Sequence, residues 1–123
     1  MNRLTKNRGA NMSPVLRMAA AYCAAANWAD DVITDKAFRD HAEKACGSLW
    51  RSFRGINRVF DNEMIEQCGH DFWLTRQGHG TGFWDRPDNT YGNAANREKL
   101  DNYAQFVGEF YDFTSEPRER GTA

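Results

Sequence analysis

The chain has 123 residues, of which 13% are aromatic, and a formal net charge of −1. This length suits one domain, and the aromatic content argues against a wholly disordered protein. The near-neutral charge disfavours both an acidic DNA mimic and a strongly basic, non-specific DNA binder.

The charge is divided unevenly along the chain. Residues 1–58 hold 10 Lys+Arg and 5 Asp+Glu (10 − 5 = +5), whereas residues 59–123 hold 6 and 12 (6 − 12 = −6). Two readings stay open: the two halves pair on folding, or one half presents a charged face to a partner.

The longest uncharged apolar run, residues 18–29, is too short and too rich in alanine to span a bilayer. The spacing of Cys23, Cys46 and Cys68 fits neither a zinc site nor a disulfide framework. We therefore expect the three cysteines to be small buried side chains in a reducing cytoplasm. We also expect no membrane association and no cofactor.

Residues 1–12 are polar and basic, and we expect this N-terminal segment to be flexible. Ser13 and Pro14 then predict the start of a first helix, as N-cap and first helical residue. Its core-facing stripe is Val15, Met18, Ala19, Tyr22, Ala26 and Ala29.

Thr34 is the predicted N-cap of a second helix, whose apolar seam runs from Phe38 to Ile56. Near its end the helix carries three closely spaced arginines, Arg51, Arg54 and Arg58. These three arginines are candidates for nucleic-acid contact, and the alternative is a solvated face that complements the negative end of the helix dipole.

Asp61 predicts the start of a short third helix over Asn62 to Cys68, with Gly69 as its left-handed C-terminal residue. Residues 70–86 then predict a β-hairpin with a glycine-rich turn at Gly78 and His79. Asn93 predicts the cap of a fourth helix that ends at Gly108.

Polar and apolar residues alternate over 109–113, which predicts a third strand. The charged tail 115–123 is expected to be flexible. The predicted fold is therefore α+β: about four helices packed on a small antiparallel sheet built on the 70–86 hairpin. It forms a single domain over residues 13–114.

The predicted hairpin register makes one face apolar and the other aromatic and charged. Leu74, Phe83 and Phe72 would lie under the helices, while Trp73 would stack on Trp84 beside a cross-strand ion pair of Asp71 and Arg86. An exposed pair of tryptophans needs a cover, which is either another part of this chain or a partner. The predicted binding surface consists of Trp73, Trp84, Asp71, Arg76, His79, Asp85 and Arg86.

Catalytic and metal chemistry is less well supported by the sequence. His70, Asp71, His79 and Asp85 are suitable ligand types, but the register places His70 and His79 at opposite ends of the hairpin. The Gly78-His79-Gly80 turn lacks the helix and lysine of a phosphate-binding loop. We expect no metal site and assign no catalytic residue, without excluding an enzyme.

The run GHDFWLTRQGHGTGFWDR at residues 69–86 resembles a segment of small proteins encoded by bacteriophages and prophages, whose biochemical function is unassigned. The resemblance implies a phage accessory protein that acts in the cytoplasm of a bacterial host. We expect it to bind a host or phage protein, for example as an inhibitor of a defence system of the anti-CRISPR kind. The alternatives are nucleic-acid binding through the basic helix and the aromatic hairpin, and a small-ligand or metal-dependent enzyme at the hairpin.

Overall fold

The computed structural model describes residues 12–111, which form helices and contain no β-strand. The helices are α1 (Pro14–Asp30), α2 (Lys36–Ser52), α3 (Asn62–Arg76) and α4 (Ala94–Val107), with short 3-10 helices at Ile56–Val59 and Phe83–Asp85. The predicted flexible segments 1–12, apart from Met12, and 115–123 lie outside the described residues.

Helix α3 is the centre of this arrangement. Asp61 caps it by accepting a hydrogen bond from the amide of Met64 at 2.8 Å, and the helix then continues for 15 residues. Almost every residue of its second half is buried: Cys68, Gly69, Asp71, Phe72, Trp73, Leu74 and Thr75. A helix that is buried on nearly all sides must be surrounded by the rest of the chain.

The prediction of an α+β fold is wrong, because the segment predicted as the first hairpin strand is the second half of α3. Gly69 does not end this helix. A Cβ atom at Gly69 would overlap the carbonyl oxygen of Met18 on α1 and would lie 3.1 Å from the Cβ of Ala21. The glycine therefore allows the two helices to approach closely. Glycine is favoured both at such close contacts and at helix ends, so the residue type alone does not distinguish the two roles.

The predicted second and third strands are also absent from the described part of the chain. Phe83–Asp85 forms a 3-10 helix in place of a strand, and the backbone from Gly108 to Tyr111 has no regular structure. Positions 112 and 113 of the predicted third strand lie outside the described residues.

Three predicted helix starts are confirmed and one is displaced by a residue. The Ser13 hydroxyl accepts from the amide of Leu16, and the Asn93 side chain accepts from the amide of Asn96, in addition to the Asp61 cap of α3. The cap of α2 is Asp35 and not Thr34. Gly108 follows the last residue of α4, as predicted.

Helices α1 and α3 pack together and run in the same direction. Arg17, near the start of α1, pairs with Glu66, and Asp30, at its end, pairs with His79 just beyond α3. The core between the helices is rich in aromatic rings, with Tyr22 contacting both Phe72 and Trp73. Cys46 and Cys68 are buried and Cys23 is partly buried, all as free thiols.

No helix within residues 12–111 combines the length and the apolar character that crossing a bilayer requires.

Candidate functional site

The carboxylate of Asp71 is a fully buried junction between α3 and the chain that follows it. It accepts hydrogen bonds from Arg86 Nη2 at 2.7 Å, from the Tyr91 hydroxyl at 2.7 Å and from Gln67 Nε2 at 3.0 Å. The bond to Asp71 raises the pKa of Arg86, and burial raises the pKa of Tyr91. A buried carboxylate with this many donors has its hydrogen-bonding capacity satisfied, so the cluster fixes the position of residues 77–91 against α3.

The predicted ion pair of Asp71 and Arg86 is thus present, but in a different setting. It joins a helix to a loop and does not cross two strands. The loop is held at a second point by Thr75, whose hydroxyl accepts from the amide of Phe83 at 3.1 Å.

The indole of Trp73 is in the core, with 1% of its surface exposed. Its Nε1 donates to Asp30 at 2.7 Å, and the same carboxylate oxygen lies 2.9 Å from His79 Nε2. Asp30 therefore ties the end of α1 to both α3 and the loop after it.

Arg76 reaches across the end of the bundle and is not a free surface cation. Its Nη1 donates to the Tyr22 hydroxyl at 2.9 Å, and its Nε donates to the carbonyl of Gly108 at 2.7 Å. The Tyr22 hydroxyl also lies 2.8 Å from Nε2 of His41. Burial, with the charge of Arg76 as a second cause, lowers the pKa of His41 to about 4, so its ring is neutral at physiological pH.

The aromatic face predicted for the hairpin is not formed. Trp73 is buried while 52% of Trp84 is exposed, and no ring contact joins the two tryptophans in the described part of the chain. Asp85 is exposed, where it accepts from the amide of Gly82 at 3.1 Å, a bond that lowers the pKa of Asp85. Of the seven residues predicted to share a binding surface, only Trp84 and Asp85 are fully on the outside.

A groove of about 650 Å³ lies on the outer side of the α1 and α3 pair. Its α1 side is lined by small residues, Ala20, Ala21 and Ala24, and its α3 side by polar ones, Glu63, Glu66, Gln67 and His70. Both rows follow helical spacing, so the groove runs along the two helices. We call it the α1–α3 groove.

The α1–α3 groove carries both signs of charge and one aromatic neighbour. Arg17 and Arg86 contribute cations to its lining, and Arg86 is the only residue of the predicted binding surface that lines it. The ring of His70 lies 5.9 Å from that of Trp28, and 72% of Trp28 is exposed. The groove thus ends beside a large exposed aromatic side chain.

The sequence contains a signal for this groove in the alanines of α1 that lie outside its core-facing stripe. The core-facing stripe predicted for α1 includes Met18, Ala19 and Ala26, and these three residues are indeed buried. Ala20 and Ala24 lie on the opposite side and are exposed. An alanine face opposite a core stripe is unusual for a solvent-facing helix surface, which is normally charged.

The described residues contain no group of three or more His, Cys, Asp or Glu side chains that could hold a metal ion. His70 lies against Trp28, while His79 bonds to Asp30. His70 Nδ1 lies 4.0 Å from Asp71 Oδ1, whereas Asp85 bonds to the amide of Gly82, so the four candidate ligands of the hairpin hypothesis are not brought together.

Arg51, in the last turn of α2, and Arg54 and Arg58, just after this helix, are all exposed. None of them forms an ion pair within residues 12–111.

Comparisons of the chain with models of protein families, with curated proteins and with solved structures found no match. The resemblance of residues 69–86 to phage proteins therefore stays a prediction.

Proposed function

We propose that this protein is a non-enzymatic phage accessory protein that binds another protein, of the bacterial host or of the phage, in the host cytoplasm. The α1–α3 groove is the observation that carries the proposal. Its floor consists of the small side chains of α1, and its rim carries charged side chains that include Glu63 and Arg86. An exposed tryptophan, Trp28, lies at one end. The setting in a phage-infected cell rests on the resemblance of residues 69–86.

The floor of the groove favours a peptide segment as the occupant. Ala20 and Ala24 project only a methyl group, so the backbone of a docked helix or extended strand can approach α1 closely. Trp28 is the natural anchor, because exposed aromatic side chains contribute strongly to binding when a partner covers them.

The rim of the groove favours a partner that carries both signs of charge. Glu63 has no ion-pair partner in the described chain, and Arg86 keeps 27% of its side chain exposed beside its bond to Asp71. A partner segment with a cation opposite Glu63 and an anion opposite Arg86 would complement both.

The test uses the Ala24→Arg variant, which fills the groove with a long side chain at a position that is already exposed. Ala95 is an exposed alanine on α4, so Ala95→Arg adds the same charge outside the groove and is the matched control. Equal thermal midpoints of the two variants and the wild type show that the fold is intact. Proteins captured from a lysate of phage-infected bacteria are then identified by mass spectrometry.

We expect a captured protein that is lost with Ala24→Arg and with Trp28→Ala but kept with Ala95→Arg. Capture that is equal in all variants would overturn the assignment of the groove. Capture of nothing beyond the bead background, by a folded wild type, would overturn the proposal itself.

A further inference from the structure

We infer that the corner at the end of α2 is a nucleic-acid phosphate site, formed by Arg51, Arg54 and Arg58. We call these three residues the arginine corner. This second site is independent of the α1–α3 groove and does not rest on the proposed protein-binding function.

The first observation is that the arginine corner lacks the partners that the other arginines have. Residues 12–111 contain eight arginines. Five are bonded: Arg17 to Glu66, Arg39 to the carbonyl of Thr34, Arg76 to Tyr22, Arg86 to Asp71 and Arg97 to Asp88. The other three are the arginine corner, so the unpaired guanidinium groups of the described chain are concentrated at one place.

The second observation is that the backbone of the corner is fixed. The side chain of Asn57 donates to the carbonyl of Trp50 at 2.8 Å, and its amide donates to the carbonyl of Phe53 at 2.8 Å. These bonds close the turn between α2 and the following 3-10 helix. A fixed backbone at this turn means that binding does not incur the cost of ordering a loop.

The third observation concerns Arg51, whose guanidinium lies back along α2 over Gly47. A Cβ atom at Gly47 would lie 3.1 Å from Arg51 Nη1. The cation is therefore directed away from the carbonyl groups at the end of α2. Neutralising the helix dipole does not account for its position.

The chemistry of the corner fits phosphate. Guanidinium groups bind phosphate oxygens in pairs of parallel hydrogen bonds, which a lysine cannot do. Residues 51–58 carry these three cations, which can meet successive negative charges such as those of a nucleic-acid backbone. Trp50, next to Arg51 in the chain, has a half-buried ring that contacts the half-buried ring of Phe60 at a centroid distance of 6.2 Å.

The size of the site sets a quantitative expectation for its salt dependence. Three phosphate contacts give a slope of about −2.7 in log K against log salt for duplex DNA, and about −2.1 for a single strand. Raising the salt from about 50 to about 200 mM then weakens binding about 40-fold for the duplex and about 20-fold for the single strand. A much steeper slope would mean that other cations of the chain contribute.

The experiment measures fluorescence anisotropy of a labelled DNA of about 20 nucleotides, as a duplex and as a single strand, at low salt. The test variant is Arg51→Gln/Arg54→Gln/Arg58→Gln. The control variant, Lys36→Gln/Lys44→Gln/Lys99→Gln, removes the same charge from exposed positions outside the corner. Polyglutamate is added as a competitor.

We expect the wild type and the lysine variant to bind DNA with affinities within about threefold of each other. The arginine variant should lose at least about tenfold, the order expected when phosphate contacts are removed. The stronger of the two DNA forms identifies the natural source of the phosphates. No binding by the wild type, or equal losses in both variants, would overturn the inference. Displacement of the DNA by an equal charge concentration of polyglutamate would reassign the corner to an acidic protein.

Discussion

Asp71 and Arg86 form a two-point ion pair, with Nε and Nη2 of the guanidinium lying 3.0 and 2.7 Å from the two carboxylate oxygens. The pair links α3 to a loop that has little regular structure of its own. A buried ion pair is costly to desolvate, so its presence specifies where the loop lies more than it adds stability. Removing one partner is strongly destabilising, because the other charged group then stays buried without its partner.

Asp71→Asn should therefore lower the free energy of unfolding by about 3 kcal/mol, because Arg86 and Tyr91 lose their charged acceptor. Urea denaturation measures this change. Asp40→Asn is the control, since Asp40 forms only an exposed pair with Lys36 and should change stability by less than about 0.5 kcal/mol. Equal midpoints for the two variants would contradict the structural role of Asp71.

Two glycines should respond to alanine in opposite directions. Gly69→Ala places a methyl group against the backbone of Met18 and should destabilise by about 1–3 kcal/mol, after any gain in helix propensity. Gly55 has helical backbone angles and open space around it, so Gly55→Ala should stabilise by about 0.4–1 kcal/mol. Denaturation midpoints decide the signs. A neutral Gly69→Ala would show that α1 and α3 do not approach at this point.

The two tryptophans of residues 69–86 should differ in stability and in fluorescence. Trp73→Ala should cost about 3–5 kcal/mol because it empties the core, whereas Trp84→Ala should cost less than about 0.5 kcal/mol. Trp73→Phe keeps most of the volume and removes only the bond to Asp30, so it should lie between them. The emission of each tryptophan is obtained as the difference between the wild type and its Trp→Phe variant. Acrylamide should quench the emission of Trp73 less than the emission of Trp84. Equal quenching would argue against the buried position of Trp73.

The pH dependence of stability should include a contribution from His41. Its pKa is about 4 in the folded chain, below the ordinary value of 6.5, so between these values the unfolded state binds the additional proton. Stability from this residue is therefore constant above about pH 6.5 and falls as the pH is lowered toward 4. His41→Gln should show a smaller loss of stability than the wild type between about pH 7 and 4.5. An equal loss in both proteins would mean that His41 is not held as a neutral ring in the folded protein.

Local signals in the sequence were sufficient for helix starts but not for the identity of the central helix. The caps at Ser13, Asp61 and Asn93 depend on residues within one turn of each other, so they can be recognised without the rest of the fold. Gly69 cannot be interpreted in this way, because the atom that requires a glycine there belongs to Met18. The second half of α3, which is buried on nearly all sides, also loses the one-sided pattern that distinguishes a helix from a strand.

The candidate site was predictable only in its parts. Arg86 belongs to the predicted binding surface and lines the groove. The α1 side of the groove comes from alanines about 60 residues away in the chain, whose methyl groups carry no charge and no hydrogen-bonding group. Arg51, Arg54 and Arg58 could be identified from spacing alone. Their lack of partners could not, because it depends on where every acidic side chain lies in the folded protein.

The dependence of Asp71 on Arg86 and Tyr91 also bears on how the protein is made. During translation, α1, α2 and α3 leave the ribosome before the residues that complete the Asp71 cluster. Until then, packing α3 would bury a carboxylate without its main donors, which is unfavourable. We therefore expect the nascent chain to hold α3 open to solvent until Tyr91 has emerged, and to close the bundle in a single late step.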